Sequence, residues 1–392
     1  MPANKNQHYV PQFYLRQFAN HKGNFNIYNI RKEKTYYDVP FKGQCQRDYF
    51  YGNDLALEKK FSAMENDWSH TFNKLIYEKD LNQKDIINIK KFAIFQRTRT
   101  EAALEYGEES KRIQMIEFMK MTCANKRIPV SQAQIESLIN KKMKDNEQKI
   151  ISPVHFSEDF LSYTRDLNVV VLTYYTKDKL ISSDVPVVSI NKFLETNIGY
   201  ANAGFISFFP ISENKVVAIY DARMYPLNKD KLYVESTDET EVRLLNEYQL
   251  INAEKIIYGC YTDMNALHNA NVASLRNLNR NRPAIQAIGS NEGKLFVYQP
   301  RLSIYHCELS FAALNRDARR IPTIGRDILP RNKDVEYVSR MEFREDILPD
   351  IEKKRGNKSV AKPKEIRRAI RRMSQFTYRY WAQPIPVQVL TK

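Results

Sequence analysis

The sequence predicts an α+β fold: an N-terminal hairpin-helix unit with long helices, a mixed β-sheet in the middle and a basic C-terminal extension. Three observations point there. Apolar residues recur at helical spacing through Leu57, Phe61, Trp68, Phe72 and Leu75, and again through Ile86, Ile89, Phe92 and Phe95; a strand period does not produce that pattern. From about Phe160 the period changes to short β-branched runs such as 168–175. Between Lys353 and Arg372, ten Lys and Arg stand against one Glu, so this segment carries +9 of the chain's +15. The expected division is residues 1–150 as hairpin and helices, 151–262 as an α+β region and 263–392 as the basic extension.

Taken in order, Gln7-His8-Tyr9-Val10-Pro11-Gln12-Phe13-Tyr14-Leu15-Arg16-Gln17-Phe18 comes first. Pro11 biases Val10 toward an extended backbone and suits the first turn of a helix. His8 is therefore expected at the end of an extended piece, just before a short helix. His21 to Asn24 reads as a turn, and 25–30 and 35–39 as the two strands of a hairpin. Asn53 or Asp54 would cap the next helix, which carries Glu58 and Glu65 on one face. Asn82 opens a longer helix, with Gln96 and Arg99 three residues apart on a shared face, running on to about Thr122. The lysine-rich stretch 129–150 reads as a charged helix or connector. Then come strands at 168–175, around 179–188, at 204–211 and 215–220, a helix over 241–253 and a last strand at 256–258.

Composition limits the function classes. Hydrophobic residues make up 43% of the chain, with 24 Tyr and 20 Phe, enough for a substantial core. Glycine is scarce at 11, and Walker, dinucleotide and Gly-x-Ser-x-Gly patterns are absent. Cys45, Cys123, Cys260 and Cys307 show neither paired zinc spacing nor a disulfide framework. No two of His8, His21, His70, His155, His268 and His306 lie at i, i+4 as a metal-binding helix needs. The longest apolar run, 169–175, is far short of a membrane span, so a cytoplasmic chain with no membrane partner is expected. A pI near 9.4 argues for an anionic partner, most often nucleic acid.

The opening residues resemble the N-terminal signature of the bacterial domain of unknown function 4238 family, whose members begin His-Tyr-Val-Pro-x-Phe-x-Leu-Arg-x-Phe. Further steps match the same pattern: Asp48-Tyr49, Glu65, Gln96 with Arg99, Ser183-Asp184-x-Pro186 and Phe209-Pro210-Ile211-Ser212. The resemblance spans about residues 5 to 260. It implies a place among genes of bacterial defence regions, where some members look like antiphage proteins.

Each candidate site residue carries two readings. Imidazole titrates near neutrality, so His8 suits a general base or acid; equally, it pins the N-terminus to the following helix. The His-x-Val-Pro step also resembles the catalytic histidine of His-Me-finger nucleases, without their preceding Asp or His and without a downstream Asn-Cys cluster. Arg99 suits a phosphate clamp, with Gln96 orienting a water, or a salt bridge to Glu65 or Glu58 that joins two helices. Asp184 is a strand-end carboxylate or a turn residue bonding its own backbone. Either Glu65 or Asp184 would orient His8 or hold a divalent cation. In a helix, Lys364, Arg367, Arg368, Arg371 and Arg372 form one basic face suited to phosphates, and Tyr378, Tyr380 and Trp381 suit stacking on unpaired bases; the other reading is a charged tail docked on another subunit. The expected function is an antiphage defence nuclease acting on RNA or single strands, with a non-catalytic nucleic-acid-binding or sensor protein as the alternative. A homo-oligomer or a defence-system partner protein is compatible with either.

Overall fold

The computed structural model describes residues 6–51, 55–125, 127–145, 161, 163–191, 200, 204–225, 227, 231–260, 285–290, 293–298, 309–312 and 390–391. Helices, an antiparallel four-stranded sheet and a mixed five-stranded sheet make it α+β.

The hairpin forms as its alternation predicts. Strands β2 (Asn24–Asn29) and β3 (Lys34–Pro40) pair antiparallel. Gly23, at φ +78°, makes the turn that leads into them, a backbone region open to glycine at little cost. Before the hairpin, β1 (Asn6–His8) pairs antiparallel with β4 (Gln46–Asp48), and α1 (Gln12–Leu15) starts directly after Pro11.

Two long helices follow, α2 (Leu55–Ile76) and α3 (Gln83–Thr98). Asn82 opens α3 through a capping box: its side chain accepts from the Asp85 N–H at 3.0 Å, and the Asp85 carboxylate accepts from the Asn82 N–H at 3.0 Å. Such a box satisfies two otherwise orphaned donors. Asp85 also accepts from Lys74 Nζ at 2.7 Å and the Thr71 hydroxyl at 3.1 Å, tying α3 to α2. Burial works against the Asp85 anion, but these hydrogen bonds outweigh it and hold its pKa below the ordinary value.

The single helix expected from Asn82 to about Thr122 is two. Helix α3 ends at Thr98, Arg99 leaves the helical backbone at φ −101°, and α4 (Glu101–Asn125) restarts. The cause is local, because the Thr100 hydroxyl accepts from the Ala103 N–H at 3.1 Å, as an N-cap does. Helix α5 (Gln132–Asp145) returns along α4.

The five-stranded sheet runs β10–β5–β9–β8–β7, from β5 (Asn168–Tyr174), β7 (Val188–Ile190), β8 (Ile206–Ser212), β9 (Lys215–Tyr220) and β10 (Tyr233–Ser236). Only the β10–β5 pair is parallel. Both faces are covered, which is why β5 reads as a continuous apolar run. Val171, Phe209, Val217 and Ile219 face Trp68, Phe72 and Phe92 of α2 and α3. Their neighbours Val170, Leu172, Phe208 and Ala218 face Val242, Leu245 and Tyr248 of α6 (Glu239–Asn252). The first of these clusters also takes Tyr9, Val10, Tyr14, Leu15 and Phe18, so the opening segment shares its core with the central sheet.

The four-stranded sheet, β3–β2–β11–β6, pairs the hairpin with β11 (Ile256–Gly259), which in turn pairs with β6 (Ser182–Ser183). Tyr28 lies opposite Ile257, so the beginning and end of residues 6–260 meet in one sheet. A separate sheet joins β12 (Ile285–Ser290), β13 (Gly293–Tyr298) and β14 (Leu390–Thr391). Among the described residues no helix is long and apolar enough to cross a membrane.

Candidate functional site

The site grows from a backbone problem. Strand β1 stops at His8, and the chain turns into Pro11 and α1, so the carbonyls of His8 and Tyr9 point into the protein without ladder partners. Buried carbonyls need donors. The Tyr51 hydroxyl and Arg99 Nη2 donate to the His8 carbonyl at 2.9 and 3.1 Å. Gln96 Nε2 and Arg99 Nε donate to the Tyr9 carbonyl at 2.9 and 3.2 Å. One residue earlier, the Gln7 side chain accepts the Tyr51 N–H at 2.6 Å.

Arg99 reaches both carbonyls because it sits just past the end of α3, with its backbone turned out of the helix. Its Nη2 also donates to Glu65 Oε1 of α2 at 2.6 Å. The guanidinium lies over the Phe61 ring, 4.8 Å from the centroid, and beside the Tyr51 ring at 5.8 Å. A planar, weakly hydrated fork suits this enclosure better than an ammonium would. The Arg99 side chain is fully enclosed, while that of Glu65 keeps 26% of its surface. The geometry thus brings His8, Glu65, Gln96 and Arg99 together. It does so around backbone carbonyls, and the Arg99 guanidinium is enclosed rather than open to a phosphate.

The His8 imidazole is only half-buried. With the proton on Nε2, that nitrogen donates to the Lys42 carbonyl at 3.1 Å and Nδ1 accepts from Gln12 Nε2 at 3.5 Å. Burial lowers the imidazole pKa and the Arg99 charge adds to that; the Lys42 carbonyl and Glu65 pull the other way without restoring it. At neutral pH the ring is therefore an uncharged base with a weakly held Nδ1 lone pair.

Asp184 lies on the Tyr9 side of the segment. It is buried, and its two carboxylate oxygens accept the N–H groups of Glu254 and Lys255, each at 2.9 Å. Its own N–H donates to the Ile256 carbonyl at 3.1 Å. These bonds set the approach of the chain to β11 rather than a turn around Asp184 itself. The negative charge is felt by two buried neighbours: the Tyr9 hydroxyl and the Cys45 thiol, in hydrogen-bond contact with each other, are both pushed up, chiefly by burial and further by Asp184.

Sequence reasoning passed over Glu101, Lys255 and Cys45. The Glu101 carboxylate is almost enclosed and pairs with Lys255 Nζ at 2.5 Å and Arg47 Nη1 at 3.7 Å. Its position directly after the capping Thr100 was the available signal. Cys45 holds a left-handed backbone at φ +51° and accepts the Tyr9 N–H on its carbonyl at 2.9 Å. Among the described residues no group of three or more His, Cys, Asp and Glu is arranged to hold a metal ion. The basic candidates Lys364, Arg367, Arg368, Arg371 and Arg372, with Tyr378, Tyr380 and Trp381, lie outside the described residues.

A family model described as a protein of unknown function (DUF4238) matches residues 6–263. No curated protein and no solved structure matches the chain.

Proposed function

The chain belongs to the DUF4238 family, and from that premise we propose that it is a nucleic-acid-binding protein of a bacterial defence system, working in the cytoplasm. The segment Lys353 to Arg372 tracks phosphates, and Tyr378, Tyr380 and Trp381 stack on unpaired bases. The observation that carries this reading is charge concentration, since +9 of the chain's +15 falls in that one segment. The interior geometry favours it over catalysis at Arg99. The guanidinium is spent on two carbonyls and Glu65, and Asp184 is spent on two backbone N–H groups.

The test is fluorescence anisotropy of the full chain with a labelled single-stranded RNA and its DNA counterpart, titrated with salt. Replacing Arg367, Arg368, Arg371 and Arg372 together by Glu lowers the slope of log K against log salt by about 3, at roughly 0.7 per phosphate contact. An unchanged affinity and slope would remove the reading.

A second reading, a nuclease, is favoured by His8 alone. Its neutral, half-buried imidazole lies close enough to Glu65 and Arg99 to feel both charges. In that version His8 takes the proton, Glu65 orients it or holds a divalent cation, and Arg99 positions the segment without touching phosphate. Cleavage of the same RNA that is lost in His8→Gln, with binding retained, selects this reading.

A further inference from the structure

Glu241, in the first turn of α6, has a carboxylate that ordinary capping does not explain. The N-cap of α6 is Asp238, whose side chain accepts from the Thr240 and Glu241 N–H groups at 2.9 and 3.2 Å. Glu241 itself is buried against the central sheet. Its Oε2 accepts from the Tyr174 hydroxyl at 2.9 Å. Its Oε1 accepts from the Ser310 N–H at 2.9 Å and the Ser310 hydroxyl at 2.6 Å.

Ser310 belongs to Leu309-Ser310-Phe311-Ala312, a single tight turn closed by the Ala312 N–H on the Leu309 carbonyl at 3.0 Å. Leu309, Phe311 and Ala312 are buried in the cluster between α6 and the central sheet. The Phe311 ring meets Phe208 edge-on at 5.8 Å, and Phe208 meets Tyr248 in the same way at 5.3 Å. So three apolar side chains fill a groove while the residue between them presents two donors to one carboxylate oxygen.

The groove and its filling lie on opposite sides of the end of the family match. Tyr174, Phe208, Glu241 and Tyr248 lie within the family match, which ends at residue 263, and the turn lies beyond it. Without the turn, Glu241 Oε1 loses both of the donors named above and Phe208 loses an aromatic neighbour. A buried carboxylate oxygen stripped of its donors is costly. In this chain the family-matched part thus presents a carboxylate oxygen and a ring face that the turn completes.

We propose that the groove between α6 and the Phe208 face of the sheet is a peptide-docking site of the family domain, whose ligand is Leu309–Ala312 of the same chain. Glu241 reads the ligand's serine, and the Phe208–Tyr248 ring pair reads its phenylalanine. The docked turn anchors the chain beyond residue 263 to the family domain. The assignment is independent of what the basic segment binds.

The experiment uses the full chain and a fluorescein-labelled peptide of residues 305–316, with Cys307→Ser. Phe311→Ala weakens the tethered ligand and leaves the groove intact. The peptide then binds this variant at least about tenfold more tightly than the wild type, whose groove is filled. Adding Glu241→Gln abolishes the gain, and a peptide with Phe311→Ala does not bind. Equal affinity for wild type and variant, or no binding to a folded Phe311→Ala chain, overturns the proposal. Mixed dimers of wild type and variant would place the ligand on a second copy and overturn the same-chain assignment. Ser310→Pro, which removes the N–H donor, serves as a second emptied groove. If neither variant gives a cooperative unfolding transition, the turn is part of the core and not a docked ligand.

Discussion

The opening segment and the α4–α5 hairpin are built on opposite terms. In the first, one buried guanidinium serves two carbonyls and a carboxylate beneath the Phe61 and Tyr51 rings, and its neighbours reach the central sheet. In the second, Ile116, Ile135 and Ile139 make a small cluster of their own. Around it, Phe118, Ile128 and Leu138 stay about half exposed, and the ion pairs Arg112–Glu109 and Lys120–Glu117 lie one turn apart near the surface. Exposed pairs of that kind contribute little. The difference is that the enclosed charge is matched to backbone, so that breaking it leaves buried groups stranded, whereas the exposed pairs can be lost at little cost.

The largest expected effect is at Arg99. Arg99→Ala leaves the His8 and Tyr9 carbonyls each short of a donor and Glu65 without its cation, a loss of about 3–5 kcal/mol as for breaking other buried pairs. Urea unfolding followed by circular dichroism measures it; a loss under about 1 kcal/mol would erase the contrast between the two regions. A smaller effect depends on pH. The His8 pKa is lowered in the folded chain, so the unfolded chain takes the proton first as pH falls. The stability tied to the neutral ring is complete above about pH 6.5 and drains away as pH falls from there through the lowered folded value. A His8→Gln chain should therefore lose less of its urea midpoint between pH 7.5 and 5 than the wild type, and parallel curves would show that His8 is indifferent to its surroundings. The smallest effect is at the hairpin: Leu138→Ser shifts stability by no more than about 0.5 kcal/mol. A shift well above that would mean that another surface covers this face.

What was legible in the sequence is what is local. The stripe of Phe61, Trp68, Phe72 and Leu75 is helical in its spacing, and Asn82 alone announced the start of the next helix, with the Asp85 half of its capping box going unread. The alternation of 25–30 and the β-branched run of 168–174 announce strands without help. Pro11 announced the extended piece that ends at His8, but nothing announced its partner Gln46–Asp48, since three polar residues carry no period and pair only through the strand opposite. The helix break at Arg99 was missed because apolar spacing continues across it, while its cause is one hydroxyl at Thr100. At the candidate site, the residue types were legible and their burial was not. A guanidinium in isolation belongs in water, and only the two carbonyls abandoned by β1 draw it inside. Likewise Asp184 seemed to serve its own turn, whereas its partners are N–H groups of a distant segment. The ion pair of Glu101 with Lys255 joins residues that no sequence window contains together.

The pairing of Tyr28 with Ile257 has a consequence for how the molecule comes into being. The hairpin leaves the ribosome early, yet its inner neighbour in the sheet, β11, is translated more than two hundred residues later. At about 5–20 residues per second that is a wait on the order of 10–50 s. Throughout it one edge of the nascent hairpin stands open, its amides and carbonyls unclaimed. The Arg99 keystone, by contrast, draws its two carbonyls and its carboxylate from the first hundred residues. Such a timetable makes the newborn chain a natural client for whatever shields open strand edges until translation passes residue 259.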